Sequence, residues 1–388
     1  ESMDNTIIVN KPAIENEGIG TTATLLNTSN NLYVQDITLQ NALEYYKSGS
    51  AGRAVCLQDR GTQTICKNVK MLSYQDTYYS NEPNGMGQFY FEDSEIHGTV
   101  DYVCGGGDVY FNRVLFVNES RKENEKNGTD VIAAPNSKSE WGYIFKDCTI
   151  ENKASNFSLG RSWNNITRLT WLNTTVNQKD EILNDDKQYA YFNINAMGSA
   201  MADKFRLDVL KDAEGNVFSP AEKKVIFKTS DGKTLKNEEN IILTAEEAAT
   251  YTLDAVFGDW KPEAKAAQAT ATVTTLKDGK LSWTGDAKMY LVAKDGKFYT
   301  LTKENSLTVN DDKASFTVRA ANGMGGFGTA TGNVSTGINN TMTSSATVIK
   351  TAIFGVDGTQ LSNLKKGINI VVKTMTDGSK KTSKVVLK

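Results

Sequence analysis

Between residues 30 and 178, apolar and polar positions alternate in short bursts: "LYVQDITLQN", "TICKNVKMLS", "FYFEDSEIHG", "VYFNRVLFVN", "YIFKDCTIEN" and "LTWLNTTVNQ". A period of two over a few residues predicts a strand with one buried face. Each burst carries a polar or charged residue near its middle: Asp36, Asn68, Asp93, Arg113, Asp147 and Asn173. These marks are 32, 25, 20, 34 and 26 residues apart. Strand-like segments recurring at such steps suggest a solenoid. An antiparallel sandwich also repeats strands between turns. A step near 25 that holds several strands favours a parallel β-helix, in which each coil stacks on the last.

In that geometry neighbouring rungs lie about 4.8 Å apart, so residues one period apart sit side by side. One step forward from Asp76 is Asp101, and one step back is Arg53. Arg53, the Gln75-Asp76 pair and Asp101 then line up across three consecutive rungs. Two carboxylates that close cannot both ionise freely, so one pKa rises and the pair offers an acid and a base near neutral pH.

Composition narrows the chemistry. Five prolines and 31 glycines, with many Thr, Val, Asn and Tyr, favour strands and turns. The net charge of −3 gives no argument for a nucleic-acid or anionic-membrane partner. No apolar run approaches the roughly 20 residues of a membrane helix. The single histidine, His97, excludes a multi-histidine metal site. No Gly-x-Ser-x-Gly elbow accompanies it. The chemistry therefore runs on carboxylates, amides and arginine, with no metal or organic cofactor expected. Cys56, Cys66, Cys104 and Cys148 lack Cys-x-x-Cys spacing, and buried thiols are expected rather than disulfides. His97 is read as structural.

Four segments together resemble the pectin methylesterases. They are "YQDTYY" (74–79), "GTVDYVCGGGDVYF" (98–111), "LGRSW" (159–163) and "RAVCL" (53–57), the last where the family has Gln-Ala-Val-Ala-Leu. The resemblance runs over about residues 1–260 and implies a right-handed parallel β-helix. It implies that Asp101 is the nucleophile on the C6 methyl-ester carbonyl of galacturonate. Asp76 is the general acid and then the base, Gln75 an oxyanion donor, and Arg161 the partner that aims Asp101. Trp163, Tyr79 and Tyr102 are its substrate-binding candidates. Arg53 stands where the family has glutamine, and is either an oxyanion donor or a charge partner of Asp76. Cys104, followed by three glycines, replaces an aromatic of the family pattern. The family's Gly-x-Tyr-x-Glu segment is expected upstream of "ESMDNTIIVN", so the first coil is expected to be missing.

Past "DWKPEAKAAQ" the pattern changes. Trp283 and "FTVRAAN" (316–322) resemble fibronectin type III modules, and residues 329–346 read as a linker or long loop. The end of the chain resembles the C-terminal sorting domains of Gram-negative secreted proteins. From Leu361 it carries seven lysines and one aspartate. The expected fold class is all-β: a β-helix over 1–262, a β-sandwich over 263–340 and a β-module over 341–388.

The expected activity is hydrolysis of homogalacturonan methyl esters to methanol and pectate, by a monomer that is secreted, periplasmic or displayed at the cell surface. The rivals are a catalytically impaired pectin-binding protein of the same fold, a polysaccharide lyase and a structural adhesin. No Asp-x-Asp-x-Asp-Gly calcium loop supports the lyase.

Overall fold

The structure, a computed structural model, describes residues 2–48, 51–163, 166–184, 191–197, 201–225, 239–311, 313–332, 348–355, 359–363, 365–375 and 380–387. The chain forms two compact units, Glu1–Asp312 with Phe316–Thr331, and Lys313–Ser315 with Gly332–Lys388. Among the described residues, no helix is long and apolar enough to cross a membrane.

The first unit is built on a three-sided parallel β-helix. One full coil runs through strands Gln88–Glu92, Glu95–Gly98 and Val100–Gly105. The next runs through Asp108–Asn112, Leu115–Asn118 and Thr129–Pro135. Each strand pairs in parallel with its counterpart one coil away, as in Tyr90↔Tyr110, Ile96↔Phe116 and Val103↔Ala133. Two sides share the strand Thr64–Leu72 and diverge beyond it. The third side is a seven-stranded sheet from Leu25–Asn27 to Phe192–Met197.

The polar marks of the sequence pattern are the corner between two of these sides. All six have left-handed backbones: φ is 56° at Asp36, 52° at Asn68, 51° at Asp93, 55° at Arg113, 54° at Asp147 and 49° at Asn173. Asp and Asn tolerate that region better than other side chains. They also bond one another from coil to coil. Asn68 Nδ2 donates to Asp36 Oδ1 at 2.6 Å, Arg113 Nε to Asp93 Oδ1 at 2.7 Å, and Asn173 Nδ2 to Asp147 Oδ1 at 2.5 Å.

Inside, residues at equal height form columns. Cys66, Phe91, Phe111, Phe145 and Trp171 stack on successive coils, all fully buried. Their ring centroids lie 5.0, 4.8 and 3.8 Å apart from Phe91 to Trp171. Burying each such ring contributes about 1.5–3 kcal/mol. All four cysteines are buried free thiols.

One outer face is also apolar, through Ile65, Tyr90, Tyr110, Ile144 and Leu172. The segment with short helices Ala245–Ala249, Leu253–Phe257 and Pro262–Ala266 covers it, through Val256 and Phe257 of the second helix and Trp260 in the turn after it. Thr244 opens the first helix with a capping box, and Pro262 starts the third where its missing N–H is harmless.

Further along this unit the pairing becomes antiparallel. Thr272–Lys277, Lys280–Thr284 and Ser306–Thr308 form one sheet; Lys297–Thr302, Tyr290–Lys294 and Phe316–Ala320 belong to another. Trp283, Tyr290 and Val318 are buried. This module is tied to the β-helix: Asn322 Nδ2 donates to Tyr33 Oη at 3.1 Å, and Arg319 pairs with Asp36 at 3.3 Å. The second unit contains the antiparallel strands Val348–Gly355, Gln360–Leu361, Gly367–Met375 and Lys380–Leu387. Residues 333–346 of the expected linker lie outside the described residues.

Candidate active site

The third side of the β-helix positions the two candidate carboxylates. Tyr78 pairs with Val103, which puts Asp76 level with Asp101 on the next coil. Asp76 N donates to Val100 O at 3.2 Å and so anchors the level. Both aspartates have left-handed backbones, φ 60° and 51°. Arg53 bridges in parallel to Gln75, one residue short of the Asp76 level expected from the spacing.

Arg161 lies two coils beyond Asp101, one residue past Gly160, which pairs with Ala133. Its guanidinium reaches back across the intervening coil. It forks onto the carboxylate: Nε donates to Asp101 Oδ1 at 2.7 Å and Nη2 to Oδ2 at 2.6 Å. Arg53, Gln75, Asp76, Asp101, Arg161 and Trp163 line one open pocket, joined by Ile19 and Cys104. The space within it, open solvent at the mouth included, is about 500 Å³.

The two acids differ in their surroundings. Burial, reinforced by the negative charge of Asp101, pushes the Asp76 carboxyl up to about 8; Arg53 and Arg161 oppose this only in part. Burial also raises Asp101, but Arg161 bonds it directly and pulls the other way. A guanidinium fork favours the ionised form of its carboxylate. The neighbour Asp76 has at hand is the Cys104 thiol, 3.9 Å from Oδ1. The shared proton therefore belongs on Asp76, with Asp101 ionised.

Arg53 does not ion-pair with Asp76. It is held by Glu17 through three bonds: Nη2 to Oε1 at 2.7 Å, Nε to Oε2 at 3.2 Å, and its own backbone N to Oε2 at 2.8 Å. Its side chain is still 42% exposed, which leaves guanidinium N–H groups free to face the pocket. Glu17 was not legible in the sequence. It lies 36 residues before Arg53 in an irregular stretch with no strand period, and the only hint was an arginine in need of a counter-charge.

The aromatic candidates separate. Tyr79 and Trp163, both half-buried, meet edge to face with centroids 6.3 Å apart and form a ridge next to the pocket. Tyr102 is fully buried and is not a pocket residue. Its ring packs 6.2 Å from Phe116, and its hydroxyl donates to Asn118 Oδ1 at 2.9 Å. A phenol with both an apolar bed and an internal acceptor belongs in the core. His97 lies apart from this pocket, its Nδ1 2.6 Å from Glu119 Oε1 and its Nε2 2.6 Å from Glu95 Oε1.

Residues 1–185 match the family model described as Pectinesterase. Pectinesterase B of Pectobacterium parmentieri is 30% identical over 165 residues, covering 38% of this chain and 40% of that protein. Pectinesterase B of Dickeya dadantii is 28% identical over 163 residues, covering 38% and 37%. The chain thus spans about two-fifths of the length of these relatives. Among solved structures, pectin methylesterase PemA from Erwinia chrysanthemi gives a TM-score of 0.44 at 20% identity, covering 68% of this chain and 82% of that one. Pectin methylesterase from carrot gives 0.47 at 16%, covering 66% and 75%.

Proposed function

We propose that this protein is a carbohydrate esterase that hydrolyses the C6 methyl esters of homogalacturonan to methanol and pectate. The observation that carries the reading is geometric: Asp101, forked by Arg161, lies level with Asp76 on the next coil in an open pocket. The match of residues 1–185 to the Pectinesterase family model supports it.

In this reading an Asp101 oxygen attacks the ester carbonyl carbon. The tetrahedral oxyanion takes hydrogen bonds from Gln75 and the free N–H groups of Arg53, each such donor typically worth about 3–4 kcal/mol. When the C–O bond to the methoxy group breaks, Asp76 gives its proton to that oxygen and methanol leaves. The carbonyl is then an anhydride on Asp101, which splits a difficult acyl transfer into two easier steps. Asp76, now a carboxylate, takes a proton from water as the water attacks the same carbon. Collapse expels Asp101 as a carboxylate, leaves Asp76 protonated as at the start, and frees the galacturonic acid carboxyl, which loses its proton to solvent. Tyr79 and Trp163 serve as the wall for neighbouring sugar rings. The wider assignment has a right-handed β-helix over 1–262 carrying the chemistry. A fibronectin-type-III-like module over 263–340 and a sorting-like module over 341–388 follow, in a protein working outside the cytoplasm.

The test is methanol release from highly methylated pectin. Turnover by the native protein supports the reading. Pectin binding without methanol favours an impaired binding protein, in which the Glu17-bound Arg53 does not replace the family's glutamine.

A further inference from the structure

We propose that Glu17 is a positioning residue of this reaction: it clamps Arg53 and offsets its charge, so that an arginine can line the pocket without stripping the proton from the neighbouring acid. The inference rests on the esterase reading above and adds to it a residue outside the four family-like segments.

The clamp is built rather than incidental. Glu17 follows the short helix Ile14–Asn16, and the backbone there is sewn to the Arg53 coil. Gly18 N donates to Arg53 O at 3.2 Å and Thr24 N to Val55 O at 3.0 Å. The Thr22 hydroxyl donates to Gly18 O at 2.7 Å and accepts from Val55 N at 3.2 Å. One carboxylate oxygen of Glu17 takes both the backbone amide and Nε of Arg53; the other takes Nη2. That geometry fixes the guanidinium plane on two edges. The Glu17 side chain is 13% exposed and that of Arg53 42%, so solvent screens the pair from the arginine side only.

The chemical need follows from the mechanism. Asp76 must enter the first step protonated, yet four ionic groups act on it: Asp101, Arg53, Arg161 and Glu17. The Cys104 thiol and the Tyr79 phenol also face it. An uncompensated Arg53 would favour the carboxylate form of Asp76. Glu17 raises Asp76 and so counters Arg53. The clamped pair thus approaches the neutrality of the family's glutamine while keeping charged donors for an oxyanion.

The experiment compares the pH dependence of kcat/KM for methanol release from methyl-esterified oligogalacturonide with a carbon-13 NMR titration of the Asp76 carboxyl. Glu17→Gln is expected to move the alkaline limb and the Asp76 titration to lower pH by about one unit, a typical effect of one nearby charge. Arg53→Gln is expected to move the titration upward. The double variant Glu17→Gln/Arg53→Gln, which leaves no lone charge to disturb folding, is expected to return it close to the native value. Glu17→Asp is expected to restore part of the limb's position. An active enzyme whose limb and Asp76 titration are unmoved by Glu17→Gln, or by the double variant relative to Arg53→Gln alone, overturns the inference. Absence of methanol from the native protein overturns the esterase reading instead.

Discussion

Arg161 grips both oxygens of Asp101 from two coils away, at 2.7 and 2.6 Å. The carboxylate is buried, so the fork decides both its charge and its aim. Arg161→Ala is expected to reduce methanol release by roughly a thousandfold, because Asp101 loses the charge that holds it ionised. It also strips a buried carboxyl of its two hydrogen-bond donors, which typically costs a few kcal/mol. Arg161→Lys keeps the charge but not the two-pronged geometry, and is expected to recover stability more than activity. Urea unfolding beside methanol assays separates the two effects. A fully active Arg161→Ala would remove the fork from the mechanism.

Asp101→Asn is expected to fold normally and release no methanol. Asparagine accepts a left-handed backbone as readily as aspartate, so φ 51° is no obstacle. An amide in place of the nucleophile lowers turnover by roughly 10³-fold or more. Circular dichroism is expected to match the native protein, with a lower unfolding midpoint because Arg161 loses its charged partner. Methanol release within tenfold of native would exclude Asp101 as nucleophile.

Asp76 sets a pH limit. Its carboxyl is raised to about 8 in the folded protein, against about 3.9 in an unfolded chain. Between those values the folded state holds a proton that the unfolded state has released. Its contribution to stability therefore falls as pH rises from about 4 to about 8 and is flat beyond. The acid-dependent step is lost over the last part of the same window. Activity is expected to decline with a midpoint near pH 8. Asp76→Asn is expected to be inactive but more stable than native at pH 9, by on the order of a few kcal/mol. Equal unfolding midpoints at pH 5 and 9 in both proteins would argue against a raised Asp76.

His97 shifts stability with pH in the same direction as Asp76, but its bound proton is a favoured charge rather than a neutralised one. Burial alone would lower its pKa, but the bonds to Glu119 and Glu95 outweigh that and raise it. With a carboxylate on each nitrogen the ring is an imidazolium, donating twice. Lys153 and Lys70 complete the cluster, at 2.8 Å from Glu119 and 3.3 Å from Glu95. A raised histidine stabilises fully below its unfolded value of about 6.5, and that gain is lost as pH climbs through the folded value. His97→Gln is expected to destabilise the protein at pH 6 and progressively less at alkaline pH, with methanol release per folded molecule unchanged. Thermal unfolding across pH tests this; a pH-independent difference would contradict it.

The pattern along the chain determined much of this molecule by itself. Asp36, Asn68, Asp93, Arg113, Asp147 and Asn173 mark the repeat, one per coil, in the sequence; that they are a corner with a left-handed backbone rather than the middle of a strand is a feature of the structure. The step between coils placed Asp76 beside Asp101. In a parallel stack an offset of one coil along the sequence is an offset of one rung in space, so periodicity is already tertiary information. The family-like segments marked Arg161 and Trp163 in the same way. Only the tertiary structure decided the rest. Tyr102 faces the core because Phe116 and Asn118 receive it, which its place beside Asp101 does not reveal. The outer apolar face is closed by helices from residues 245–266, far along the chain from the strands they cover. Glu17 reaches Arg53 through an aperiodic loop, and contacts made outside the repeat have no sequence offset from which to be read.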